Sequence, residues 1–266
     1  MNVVNIGTFL RSEFEPIRHA AEPVFRRLRR RNENGRRLRV TTITSTLAAA
    51  LKDARIDVKA MTLPSADAAF SNYPSMGGWT YCRSERNSIP RIEIELAFEA
   101  DCKQVLWSPI QWQHLQFRFY ATIQHELVHR YQFLKRYRGP NNVEMMPMVY
   151  KPCEFVHKKQ AKDQRYLGEY DEIEAYALDI VNEWWYYIGT TFTMQDLKRN
   201  FKSNADFRTP SMNYYSCVFN CDDQHLAIRT LFRKIKEWNA IVVPLAGSLP
   251  SCPTSVVTSL KLVPPV

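Results

Sequence analysis

Two histidines four residues apart, with a glutamate beside the first, make the densest chemical signal in this chain: His125-Glu126-Leu127-Val128-His129. On a helix, residues at that spacing face the same way, with Cβ atoms about 5–6 Å apart. Two imidazoles so placed can converge on one tetrahedral metal ion at N–metal distances of about 2.0–2.1 Å. Glu126 is offset by roughly 100° round the helix. It stands beside the ion without ligating it, where a carboxylate serves as general base toward a water that the metal activates. Leu127 and Val128 are apolar, as a buried helix requires. A hydrolytic metal also needs a third protein ligand and an open position. Downstream, Tyr170-Asp171-Glu172-Ile173-Glu174-Ala175-Tyr176-Ala177 opens a helical stretch. Glu172 and Glu174 point roughly 200° apart on that helix, so only one of them faces the site. His157 is the third candidate.

The HExxH pattern and the second acidic helix together resemble the zincin metallopeptidases. The resemblance implies an α+β, zincin-like fold, with a small antiparallel or mixed sheet packed on the HExxH helix and a second, Glu-bearing helix. In that family an antiparallel edge strand precedes the HExxH helix and binds extended substrate by strand addition; residues 91–98 stand in the right order for it. The 170–177 segment resembles the second helix of gluzincins, where a Glu three residues before a small residue binds zinc, which implies Glu172 as the third ligand of one catalytic Zn²⁺. Gluzincins carry an Asp four residues later to orient a histidine. Here that position is Tyr176, and Asp179, seven on from Glu172, is the carboxylate on the same face. The wording of 172–177 also resembles uncharacterised phage-encoded zincin-like proteins. A His157 ligand would instead resemble SprT-like DNA-associated proteases, although Lys158 stands where those have Gly. Arg130 follows the second histidine where the zincin pattern prefers an uncharged residue, and it is expected to be exposed. Zincins stabilise the oxyanion with a Tyr or His; Tyr176, His157, Tyr214 and Tyr215 are the candidates. The implied activity is that of a hydrolase: zinc-dependent cleavage of a peptide or protein substrate.

The elements that must carry these groups are legible in outline. Ser108-Pro109 starts and Gly139-Pro140 stops a helix over 110–138. A second helix runs 171–187 to Gly189, and a third over 223–238 places Ala227, Ile228, Leu231, Ile235 and Trp238 on one side. Arg91 to Phe98 alternates, with Ile92, Ile94, Leu96 and Phe98 on one face. With the β-rich 78–82 stretch it reads as a hairpin or an antiparallel neighbour pair, and 58–63 is a further strand. Helices are also expected at 12–31, capped by Ser12 and Glu15, at 46–56, capped by Thr46, and as a short piece near 154–162. Cys217, Cys221 and His225 share a metal-like spacing but read as buried thiols and a helix-start histidine. Trp184-Trp185-Tyr186-Tyr187 reads as packing.

The chain of 266 residues has a net charge of +9. Eight arginines (26, 27, 29, 30, 31, 36, 37, 39) against Glu33 place +7 of it between Arg26 and Arg39, and the remainder is nearly neutral. That segment is a candidate site for nucleic acid or an acidic partner. It also carries the non-enzymatic alternative, a structural or virion-associated protein that binds nucleic acid. No apolar run is long enough for a membrane helix and no secretory leader is evident, so no membrane partner is expected. Six sparse cysteines point to a reducing compartment, the cytoplasm (the host's, if the source is viral). The expected organisation is a basic helical segment at 1–39, a metallopeptidase domain at 40–240 and an extended Pro/Ser-rich tail at 241–266.

Overall fold

The computed structural model describes residues 3–63, 75–81, 90–99, 102–137, 149–153, 156–190, 192–202, 209–220 and 222–241. The expected tail lies outside these beyond residue 241. Among the described residues the fold is mixed α+β, mostly helical, with two small sheets. The chain divides into two compact units, Thr8–Val143 and Met1–Gly7 with Glu144–Val266. No helix among the described residues is long and apolar enough to cross a membrane.

The first unit contains most of α1 (Val3–Glu33), then β1 (Leu38–Arg39), α2 (Val40–Leu51), a 3-10 turn at Lys52–Ala54, β2 (Ile56–Leu63), β3 (Ser75–Tyr81), β4 (Arg91–Glu99), β5 (Gln104–Val105) and α3 (Pro109–Tyr137). Two helices start earlier than their hydroxyl residues indicate. Ser12 lies inside α1 and its hydroxyl donates to the Phe9 carbonyl. Thr46 lies inside α2 and donates to the Thr42 carbonyl at 2.6 Å. Both hydroxyls bond backward along the helix instead of capping it. Pro16 and Pro23 sit within α1 without ending it.

The three-stranded sheet has the order β2-β4-β3, with β2 parallel and β3 antiparallel to β4. The expected antiparallel pairing of β3 and β4 is present, with Trp79 opposite Glu93 and Tyr81 opposite Arg91. The expectation that 91–98 forms an edge strand is corrected: β4 is the central strand, and β3 is an edge. The alternation is as read, since Ile92, Ile94 and Leu96 are fully buried and Phe98 nearly so. α3 packs on β3 and β4, so the sheet forms the floor under the HExxH helix.

The start of β2 is held by an unexpected group. Arg130 is buried, at 2% exposure, not exposed as the pattern implied. Its Nη2 donates to the carbonyls of Ala54 and Arg55 at 3.3 and 3.4 Å, and Nη1 lies 3.6 Å from Glu13. Arg55 has φ +57°, a left-handed conformation unusual for a residue with a side chain. The guanidinium supplies donors to carbonyls at the end of the 3-10 turn, where no helix partner remains.

The second unit contains α4 (Lys158–Leu167), α5 (Tyr170–Ile188), α6 (Met194–Lys202), α7 (Pro210–Val218) and α8 (Leu226–Ile241). α5 and α8 form its centre. Ile173, Ala177, Leu178, Ile180 and Val181 are fully buried, as are Ala227, Ile228, Leu231, Ile235 and Trp238. Each large aliphatic so buried contributes about 1.5–3 kcal/mol. Trp184, Tyr186 and Tyr187 are buried as packing residues. Glu183 accepts from the Ser211 N–H and hydroxyl, both at 2.9 Å, and so caps the start of α7.

Candidate metal centre

α3 begins with a reciprocal cap. Ser108 Oγ accepts from the Gln111 N–H at 3.3 Å, and Gln111 Oε1 accepts from the Ser108 N–H at 2.9 Å. This satisfies donors that the first helical turn leaves unpaired. From there the helix is buried along most of its length. Ile123, Leu127 and Val128 are fully inaccessible, and Glu126 is 4% exposed. His125 and His129 project from successive turns, their ring centroids 4.9 Å apart and their planes at 70°. The two Nε2 atoms are separated by 3.2 Å. Two nitrogens ligating one tetrahedral ion at zinc distances lie about 3.3 Å apart, so the pair matches one edge of such a site. Nδ1 of His129 is engaged by Gln132 Oε1 at 3.0 Å.

His125, His129 and Glu172 each offer a ligand atom, and these atoms all lie within 4.8 Å of one another. This donor set, two imidazole nitrogens and one carboxylate oxygen, is compatible with a metal ion and suits one that keeps an open position. The rival ligands are placed differently. Glu174 is fully buried and its Oε1 accepts from Lys234 Nζ at 2.9 Å. His157 is exposed and caps α4, its Nδ1 accepting from the Lys159 N–H. Neither belongs to the group.

α5 enters through Gly168 and Glu169 and presents Asp171 and Glu172 in its first turn, where the helix dipole favours negative charge. Tyr176 and Asp179 follow on the Glu172 face. Around them stand rings from α4 and α7. Tyr176 lies 6.5 Å from Tyr166, 6.3 Å from Tyr214 and 5.6 Å from Tyr215, centroid to centroid. Burial, then the charges of Glu172 and Asp179, push the Tyr176 phenol well above its ordinary range, keeping it a neutral donor. Tyr214 is raised by burial, Asp163 and Glu172. Tyr215 is fully buried and donates to the Leu167 carbonyl at 3.0 Å. Its single proton is committed there, which corrects its candidacy as an oxyanion donor.

Two neighbours of the site were not read from the sequence. Gln132 sits one helical turn after His129, a spacing that could have shown it. Tyr166, whose ring packs edge-on against that of Tyr176 and whose phenol is pushed up by burial and by the charge of Glu172, stands on a different helix from both, and no local pattern marks it. The Cys217/His225 pattern forms no metal group among the described residues. Cys217 is exposed, not buried, because it sits on the outer side of α7. His225 starts α8 by accepting from the Ala227 N–H, and Cys221 lies outside the described residues.

The chain matches no protein-family model, no curated protein and no solved structure.

Proposed function

We propose that this protein is a zincin-type, gluzincin-like zinc metallopeptidase that hydrolyses peptide bonds. The observation that carries the reading is the grouping of His125, His129 and Glu172 within 4.8 Å. A zinc ion bound there supplies Lewis acidity and makes water a usable nucleophile near neutral pH. Glu126, buried on the turn that carries His125, takes the proton from the attacking water and returns it to the departing amine. Tyr176 and Tyr214, both held neutral by their surroundings, are the side chains suited to donate toward the developing oxyanion. Asp179 acts as a positioning carboxylate on the Glu172 face. Since β4 is paired on both sides, an extended substrate joining the sheet would pair with β3. Free thiols at Cys153 and Cys217 accord with a reducing, cytoplasmic setting.

The test measures zinc content and cleavage of a labelled unfolded protein such as casein. The wild type should hold one zinc per chain and cleave. His125→Ala and Glu172→Ala should lose both properties. Glu126→Gln should keep zinc and lose cleavage. A wild type that takes up no zinc on titration, or a Glu126→Gln variant that cleaves at the wild-type rate, overturns the reading.

A further inference from the structure

All eight arginines between positions 26 and 39 are exposed. Two are matched by acids: Arg26 pairs with Glu22 at 3.0 Å and Arg29 with Glu33 at 2.7 Å. The other six, Arg27, Arg30, Arg31, Arg36, Arg37 and Arg39, form no ion pair among the described residues. Exposed Lys103 adds to them, since its carbonyl accepts the Val40 N–H at 3.1 Å and so places it beside Arg39.

This surface is fixed rather than trailing. Asn32 is 2% exposed. Its Nδ2 donates to the carbonyls of Arg36 and Val105 at 2.9 and 3.4 Å. Its Oδ1 accepts from the Trp107 N–H and from Trp112 Nε1, both at 2.7 Å. The amide thus uses its full hydrogen-bonding capacity. It ties the end of α1 to the turn, to β5 and to α3. Gly35, at φ +76°, turns the chain, and Leu38 then pairs with Val105. The arginines of α1 and those of the turn are therefore held on one framework.

The segment's apolar side chains are all turned inward: Val24, Phe25, Leu28, Leu38 and Val40 are buried. The segment itself leaves no apolar side chain to enter a bilayer, and exposed Leu106 beside it is a single residue, not the continuous apolar face that a surface-lying amphipathic element requires. No exposed aromatic is present for bases to stack on, as single-strand binding requires. What remains is a fixed backbone framework that presents planar guanidinium groups, which suit bidentate contact with phosphate oxygens.

We propose that this arginine face binds the phosphate backbone of duplex nucleic acid. Contacts of that kind fix position and carry no sequence information, so binding is indifferent to sequence and steeply salt-dependent. This inference is independent of the metal centre. The test is fluorescence anisotropy of the full chain with a 25-base-pair DNA duplex from 50 to 250 mM KCl. The expected slope of log K against log salt is about −4, at about 0.9 per phosphate neutralised. Each of Arg30→Gln, Arg31→Gln and Arg37→Gln should reduce the slope by about 1, and the triple variant should bind at least tenfold more weakly at 100 mM. Lys158→Gln/Lys159→Gln/Lys162→Gln, which removes equal charge from exposed positions of α4, should leave affinity and slope unchanged. Four results overturn the proposal: no duplex binding at 50 mM, equal loss in the two triple variants, oligo(dT) bound as tightly as duplex, or capture by phosphatidylserine vesicles without capture by duplex.

Discussion

The Nε2 atoms of His125 and His129 face each other across 3.2 Å, while Nδ1 of His129 meets Gln132 Oε1 at 3.0 Å. When Nδ1 donates its proton to Gln132, Nε2 carries the lone pair that a metal requires. Gln132 is 1% exposed and therefore has little freedom to turn away. Gln132→Leu keeps the volume and removes the acceptor. We expect zinc affinity to fall about 10–100-fold with the fold intact. Competition against a chromophoric chelator measures the first and thermal melting the second. Unchanged affinity would mean that Gln132 does not set the tautomer.

Lys234 and Glu174, 2% and 0% exposed, form a buried ion pair at 2.9 Å between α8 and α5. Burial works against the charge on Lys234, but Glu174 and Tyr170 outweigh it and hold the ammonium above its ordinary value. Lys234→Met strands a buried carboxylate and should destabilise by about 3–5 kcal/mol. Lys234→Met/Glu174→Leu replaces both charges with apolar groups and should recover most of that loss. Urea denaturation of the wild type and both variants checks this. A double variant no better than the single one would show that the pair is not the source of the loss.

What could be read beforehand follows the length of each local signal. α3, α5 and α8 show several turns of apolar periodicity and strong end signals, such as Ser108-Pro109 and Gly189. α6 and α7 span nine residues each, too few turns for a period to emerge. Their caps were nonetheless written in the sequence. Thr193 Oγ1 accepts from the Asp196 N–H at 3.2 Å while Asp196 accepts from the Thr193 N–H at 3.0 Å, and Thr209 precedes Pro210. The central place of β4 is not legible because a central strand with one polar-lined side alternates as an edge strand does; Glu93 on that side is itself buried and pairs with Lys59 of β2. His125, Glu126, His129 and Glu172 were legible because helix spacing is local information. The burial of Arg130 was not, since it depends on carbonyls about 75 residues earlier.

His114, near the start of α3, is held neutral. Burial, then the neighbouring charge of Arg118, lowers its pKa from an ordinary 6.5 to about 3. The unfolded chain therefore takes up this proton first. The group's contribution is complete above pH 6.5 and is lost as pH falls from there toward 3, at about 1.4 kcal/mol per pH unit at most. His114→Gln does not titrate. In metal-stripped protein, its stability relative to wild type should rise steadily as pH falls from 7 to 4.5. Parallel urea-stability curves across that range would rule out this linkage.

Gly168 joins α4 to α5 four residues before Glu172. Its N–H donates to the Gln164 carbonyl at 2.8 Å, and its own carbonyl accepts from the Tyr150 N–H at 3.0 Å. A Cβ here would lie 2.6 Å from the Gln164 oxygen and 3.2 Å from the Tyr150 oxygen. Both are main-chain atoms, so relief requires the joint itself to move, and α5 begins only two residues on. Gly168→Ala should destabilise by about 1–3 kcal/mol and also weaken zinc binding, because the shift is carried into the first turn of α5. Gly189→Ala provides the contrast at the far end of the same helix. Its φ is +74° with nothing within 4 Å of the added carbon, so it should destabilise by about 1–2 kcal/mol through backbone strain and leave zinc affinity as it was. Zinc competition on both variants, at a temperature where each is folded, separates the two effects. Equal zinc affinity in the two variants would show that the joint does not set the position of Glu172.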